Sequence, residues 1–177
     1  MLYKTARKWA TEICEQLRPM CYRAEPAGSV RRHEPLCGDI DIVCECTDRQ
    51  RAAVRARCLK AKPEIRQNGV CVLSIVLSNG VRVQINFTQP KVTELFDEIP
   101  SNWGSIMLCR TGPKEFNQSV CLRAGMLSYH WNPFHGIYAR NRCIASASEK
   151  DIFHALKWKY IEPENRSHIK LLEVMAA

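Results

Sequence analysis

Residues 28–32 read Gly28-Ser29-Val30-Arg31-Arg32, and shortly after them the chain runs Gly38-Asp39-Ile40-Asp41-Ile42-Val43. Two acids spaced by two, with apolar Ile40, Ile42 and Val43 around them, have the alternation of a strand. Asp39 and Asp41 are therefore expected to project to one face. Two carboxylates held side by side repel each other and call for a cation. Hard oxygen ligands suit Mg²⁺ when substrate phosphates complete its shell. The Gly28-Ser29 turn and the two arginines stand just upstream, where they can hold such phosphates. An isolated Asp-x-Asp is common and usually marks a solvated strand edge. The specificity here comes from Gly-Ser, Arg-Arg and Gly-Asp-x-Asp occurring together. The cluster points to metal-dependent phosphoryl or nucleotidyl transfer.

The 177 residues suffice for one domain or two small ones, and 46% hydrophobic content supports a packed core. No stretch approaches the roughly 18 apolar residues of a membrane span. The start, Met1-Leu2-Tyr3-Lys4-Thr5-Ala6-Arg7-Lys8, lacks the apolar run of a secretory signal. The expected location is the cytoplasm, or the nucleus or a viral factory in a eukaryotic cell, with no membrane partner. A net charge of +8 and a pI of about 9.1 fit a solvated basic surface. Beside a phosphate-handling motif they favour a nucleic-acid partner. Ten cysteines include no Cys-x-x-Cys pair. Several, such as Cys71 in Val70-Cys71-Val72-Leu73, lie in apolar runs and read as small buried hydrophobes in a reducing compartment. Cys44-x-Cys46 has no second pair at zinc-site spacing.

Periodicity gives a helix over 4–18, with Ala6, Trp9, Ala10, Ile13, Cys14 and Leu17 on one stripe, ended by Pro19. Strands follow near 21–27 and 39–46. Thr47-Asp48-Arg49-Gln50 has the form of a capping box and opens a helix that Pro63 closes. Its many cations read first as a solvated outer face and second as a nucleic-acid contact. A strand over 70–77, a Ser78-Asn79-Gly80 turn and a strand over 81–88 make a hairpin. Alternation puts Arg82, Gln84 and Asn86 on one face of the second strand. Pro90, Pro100 and the polar residues between them read as a linker or insertion with a short helix. A helix from Pro113 to about 127, strands near 136–139 and 142–146, and a helix over 149–159 capped by Ser148 complete the chain.

The Gly-Ser and Gly-Asp-x-Asp signature resembles that of the polymerase beta-like nucleotidyltransferases. The Arg-Arg and the Gly before the first Asp point within that group to the family X DNA polymerases. Cys109-Arg110-Thr111-Gly112-Pro113 followed by Phe116-Asn117 is similar to the family's thumb motif, an aromatic pair followed by Thr-Gly. Glu149-Lys150-Asp151-Ile152-Phe153, Trp158-Lys159-Tyr160 and Glu162-Pro163-Glu164-Asn165-Arg166 resemble its C-terminal segment. The likeness covers roughly residues 20–47 and 103–168.

This resemblance implies an α+β fold. A nucleotidyltransferase palm, a mixed sheet flanked by helices, would span 1–100, and a small C-terminal α/β nucleotide-binding subdomain 101–177. Ahead of residue 20 only one helix is read, so the lyase and helix-hairpin-helix elements of cellular members are expected to be missing, as in a minimal, viral-type member. Asp39 and Asp41 would ligate two Mg²⁺ ions, for which Mn²⁺ can substitute. Gly28 and Ser29 would approach the triphosphate, Arg32 would pair with its charge, and Gly38 would leave room beside it. Thr111 and Gly112 would form the turn under the incoming sugar. Asn117 would reach the minor-groove edge of the new base or its sugar. The partners implied are a dNTP and a DNA primer-template or gapped duplex, handled by a monomer.

Three departures stand out. The family's third carboxylate belongs on the strand 81–88, which holds no acid. Family spacing after the Arg-apolar pair points to Gln84. An apolar-Gln-apolar-Asp pattern points to Asn86, where one Asp-to-Asn replacement explains the sequence, and Asn86 is the reading preferred. An amide cannot accept a proton and binds Mg²⁺ poorly, so the chain should bind nucleotide yet catalyse weakly. Cys109-Arg110 replaces the aromatic pair, which bears on sugar discrimination. Cys121 falls where a template-contacting arginine is expected. The leading reading is template-directed DNA nucleotidyl transfer in gap filling. The others are a template-independent or RNA nucleotidyltransferase, and a nucleic-acid-binding module with a retired active site.

Overall fold

The computed structural model describes residues 1–93 and 98–168. The chain divides into two compact units, Met1–Pro90 and Lys91–Ala177. The division falls at the start of the 90–100 stretch, where the sequence reading had put the boundary at its end.

The first unit opens with α1 (Tyr3–Leu17), which buries Ala6, Ala10, Cys14 and Leu17. Those positions lie on one face at helical spacing. Pro19 sits in the 3-10 turn Arg18–Met20 that ends the helix. Next come β1 (Arg23–Pro26), the short helix α2 (Gly28–Arg31), β2 (Ile40–Glu45), α3 (Asp48–Leu59), β3 (Glu64–Gly69), β4 (Val72–Val76) and β5 (Arg82–Thr88). The five strands form one sheet in the order β1-β2-β5-β4-β3. β2 and β5 are parallel, and the other neighbours are antiparallel. Ile40, Ile42 and Cys44 of β2 and Val83, Ile85 and Phe87 of β5 are buried in one core with the α1 stripe and Val54 of α3. Asp41, Gln84 and Asn86 alternate with these and face the other way.

The capping box of α3 is present. Thr47 Oγ1 accepts from Gln50 N at 3.3 Å, and Thr47 N donates to Gln50 Oε1 at 2.9 Å. The hairpin turn is also as expected, with Gly80 at φ +81° and Leu77 N donating to Val81 O at 2.9 Å. β3 has no counterpart in the sequence reading. It is an exposed edge strand, polar but for Ile65, held by β4 and by Arg55 of α3. Arg55 donates to the Asn68 side chain and to the carbonyls of Gly69 and Val70. Cys71, expected inside, is exposed at the turn between β3 and β4. Cys14, Cys37, Cys44 and Cys46 are buried, as small hydrophobes should be.

In the second unit, β6 (Val92–Thr93) pairs with β7 (Glu98–Ile99). The short helix expected in this stretch is not found in its described part, and residues 94–97 lie outside the described residues. α4 (Trp103–Thr111) and α5 (Lys114–Met126) precede the strands β8 (Tyr129–Asn132), β9 (Gly136–Ala139) and β10 (Arg142–Ala145). These strands form an antiparallel sheet in the order β10-β9-β8. α6 (Glu149–Ala155) starts at the expected Ser148 cap, whose side chain accepts from Asp151 N at 3.1 Å. It ends short of 159, where Lys157 takes φ +55° and turns the chain. Leu108, Phe116, Val120, Trp131, Ile152 and Phe153 are among the residues of its core. The architecture is α+β, with a mixed five-stranded sheet flanked by helices.

Candidate active site

Asp41 is the second residue of β2, half-buried, on the face opposite the core. Its main chain is fixed from one side by Ala27, whose N–H donates to Asp41 O at 2.8 Å. Its side chain is met by Gly28. This glycine is buried, has φ +58°, and opens α2. A Cβ at position 28 would stand 2.3 Å from Asp41 Oδ2. Only glycine permits both that backbone conformation and that approach. Ser29 follows it, half-buried on α2.

Asp39 lies in the bend before β2 rather than within the strand, and is half-buried. Gly38, expected to leave room, is exposed, and a Cβ there would meet nothing within 4 Å. Packing within the protein does not demand a glycine at that position. Arg32 is the residue that closes α2, and its Nε donates to Glu34 Oε1 at 3.2 Å. Glu34 has no part in the sequence reading, although it stands two residues after Arg32, between the two quoted stretches. A phosphate bound by Arg32 would have to share the guanidinium with that carboxylate.

The strand register sorts the two candidates for the third position. Gln84 lies opposite Asp41 and Asn86 opposite Val43. Gln84 is half-buried and level with Asp41, whereas Asn86 is one row further on and 1% exposed. The two amides engage each other, with Gln84 Nε2 donating to Asn86 Oδ1 at 3.3 Å. Asn86 Nδ2 donates to Ile42 O at 3.4 Å. Among the described residues no group of three or more His, Cys, Asp or Glu is arranged to hold a metal.

The remaining sequence candidates lie in the second unit. Thr111 is fully buried at the end of α4. Gly112 follows with φ +61°, its N–H donating to Leu108 O at 3.1 Å, and the Gly112-Pro113 peptide is cis. Pro113 caps α5 instead of lying in its first turn. Asn117 Nδ2 donates to Cys109 O at 2.8 Å, and its buried Oδ1 has no hydrogen-bond partner among the described residues. The residue thus ties α5 to α4 with one end and keeps an acceptor with the other. Cys109, Lys114, Asn117, Cys121 and Trp131 line a pocket of about 490 Å³. Burial pushes both of its thiols up from their ordinary pKa, so both are protonated at neutral pH.

Residues 106–167 match the DNA polymerase beta thumb family. Among solved structures, the chain is similar to Leishmania infantum polymerase beta in its ternary P/T complex. The TM-score is 0.71 at 20% identity, and the match covers 94% of this chain and 76% of that one. The chain shares the fold of that polymerase beta, and its residues 106–167 resemble a polymerase beta thumb. A search of curated protein sequences found no match. The thumb match contains Thr111, Gly112 and Asn117, and the fold likeness, which covers 94% of the chain, takes in the sheet that carries Asp41, Gln84 and Asn86.

Proposed function

We propose that the chain is a nucleotidyltransferase that adds a dNTP to the primer 3′-hydroxyl of gapped duplex DNA, slowed by an amide at its third carboxylate position. The contact of Gly28 with Asp41 carries this reading. It sets the turn that would receive phosphates directly against a carboxylate that would share a cation with them. No residue with a side chain takes that conformation and that approach together, and the function supplies a reason for a glycine at that position.

The donor set fits one Mg²⁺ better than two. Asp39 and Asp41 offer hard anionic oxygens, and triphosphate oxygens would complete the shell. When bound, Mg²⁺ supplies neutralisation of the triphosphate and acidification of the attacking hydroxyl. The position that would complete a second site holds Asn86, a neutral oxygen already accepting from Gln84. Neither amide carries charge or can take a proton. Gly28 and Ser29 would bind the triphosphate, and Arg32 would offset its charge. In the thumb, Thr111 and Gly112 would shape the turn for the sugar, and the unpartnered Asn117 Oδ1 would accept from the base or sugar edge.

Titration of dNTP in Mg²⁺ and in EDTA, with Asp41→Ala alongside, tests the metal-dependent step. Equal affinity in both solutions ends it. Extension of a labelled gapped duplex in Mg²⁺ and Mn²⁺ tests the chemistry, and brisk extension in Mg²⁺ by the chain as it stands ends the proposed slowing. The hydrogen bond between the two amides favours a second reading, a nucleic-acid-binding module whose active site is retired. That reading requires DNA binding with no extension in either metal.

A further inference from the structure

We propose that the outer face of α3 is a second nucleic-acid contact, which grips a phosphodiester backbone on the side of the palm sheet opposite Asp41. The helix buries only Val54, so most of its surface is open to a partner. Arg49, Ala53, Arg57 and Lys60 follow one another at helical spacing and form a single exposed stripe about 17 Å long. Alanine between the cations keeps the stripe low, so a polymer backbone can lie close along it.

A solvated helix ordinarily intersperses acids three or four residues from its bases. This one does not. Its single acid, Asp48, is engaged by Arg51 Nη1 at 3.2 Å. The next acid in the chain, Glu64, pairs with Arg66 at 3.0 Å. Arg57 donates to the neutral Gln16 Oε1 at 2.9 Å, and Arg49 and Lys60 have no ion pair among the described residues. The fold itself uses different cations, Arg51 and Arg55, which lie over the Phe87 ring at 5.7 and 4.7 Å. The stripe therefore adds like-charge repulsion and gives the fold only the Arg57–Gln16 hydrogen bond. A polyanion would convert that repulsion into binding. Duplex nucleic acid, with one charge per roughly 1.7 Å of axis, matches a row of cations better than a compact acidic ligand does.

The location sets this contact apart from the candidate active site. Val54 packs into the core with Ile40, Ile42 and Cys44. Asp41 and Gln84 occupy the reverse face of the same strands. Nucleic acid on α3 is thus a segment other than the one presented to Asp41.

The test uses the full chain carrying Arg49→Glu, Arg57→Glu and Lys60→Glu together, at exposed positions where the fold should persist. Binding to a labelled blunt duplex is measured against salt. Losing three phosphate contacts should lower the slope of log K on log salt by about 2.7, and should leave dNTP affinity unchanged. A slope equal to the unmodified chain's overturns the proposal. Acetylation of the unmodified chain gives a separate readout, because bound duplex should protect Lys60. An unprotected Lys60 overturns the proposal even if the slope falls, since the loss would then reflect net charge alone. Tighter binding to phosphatidylserine vesicles than to duplex at the same salt assigns the surface to a membrane and overturns it too. The dNTP and extension assays report separately on the nucleotidyl-transfer reading, so either can fail without the other.

Discussion

Gly28 stands against Asp41 so closely that a single added carbon would come within 2.3 Å of the Asp41 carboxylate oxygen Oδ2. The two residues are far apart in sequence and meet because Ala27 N–H bonds to Asp41 O at the root of the same contact. Gly28→Ala must therefore do two things. It places a side chain at φ +58°, at a cost of about 1–2 kcal/mol, and it drives the Asp41 carboxylate from its place. The variant should lose stability in urea by that amount and lose Mg²⁺-dependent dNTP binding altogether. A folded Gly28→Ala protein with unchanged dNTP affinity would sever the glycine from the site.

Asn86→Asp is expected to raise kcat for primer extension by at least about a hundredfold with little change in dNTP affinity. Ground-state binding rests on Asp39, Asp41 and the turn, which are the same in both proteins, so the gain belongs to the chemical step. The change also carries a structural penalty. Asn86 Nδ2 donates to Ile42 O in a site only 1% exposed, and a carboxylate there loses the donor and is buried, for about 1–3 kcal/mol in metal-free protein. Gln84→Asp is the rival, level with Asp41 and half-buried. Activation by Gln84→Asp alone moves the third position to residue 84, and activation by neither removes it.

What could be read from the sequence follows from which residues are half-buried. The α1 stripe was legible because that helix has one wet side and one dry side, the β2 and β5 alternation because polar and apolar residues take turns at Asp41, Gln84 and Asn86 although much of both faces is buried, and the capping box because the cap itself fixes its residue types. β3 was not, because it is an edge strand exposed along nearly its whole length and has no apolar period. α4 failed for the opposite reason: seven of its residues are buried, on every side, so no stripe forms. α2 is a four-residue turn fixed by the conformation of Gly28, which no periodicity reports. At the site, the Gly-Ser and Asp-x-Asp residues were legible as chemistry. Their partners were not. The Gln84–Asn86 pair and its level beside Asp41 depend on the β2–β5 register, which single-sequence alternation leaves open by whole rows.

Burial pushes the Cys14 thiol up to about 12 and the Cys58 thiol up to about 11. In the unfolded chain these thiols ionise near their ordinary value of 9.0. Above that pH the unfolded state has released protons that the folded state keeps, so stability falls as pH rises. The loss should begin near pH 9, at up to about 1.4 kcal/mol per pH unit for each thiol, and continue to about pH 11 for Cys58 and about pH 12 for Cys14. Urea midpoints measured from pH 7 to 11 should show it, and Cys14→Ala should flatten the slope. An equal slope in Cys14→Ala assigns the alkaline loss to other groups.

Arg166 is completely buried and joins Glu149 through Nη1 at 2.8 Å. Its guanidinium lies 5.4 Å from the Phe116 ring, 5.5 Å from Phe153 and 5.8 Å from Tyr160, so the cation is held in an aromatic cage. It links the segment after α6 to the core of the second unit, and its Nε also donates to Ile161 O at 3.1 Å. Removing one partner strands a buried charge. Arg166→Met should therefore cost about 3–5 kcal/mol, and Glu149→Gln somewhat less, because its amide can still accept from Arg166. Replacing both charges at once, as Glu149→Leu with Arg166→Met, should cost less than Arg166→Met alone, because no ion then remains unpaired. Urea unfolding of Arg166→Met, Glu149→Leu and the double variant that combines them gives the coupling energy. If the double variant costs the sum of the singles, the pair is not energetically coupled, and the stability of this unit rests on its aromatic packing.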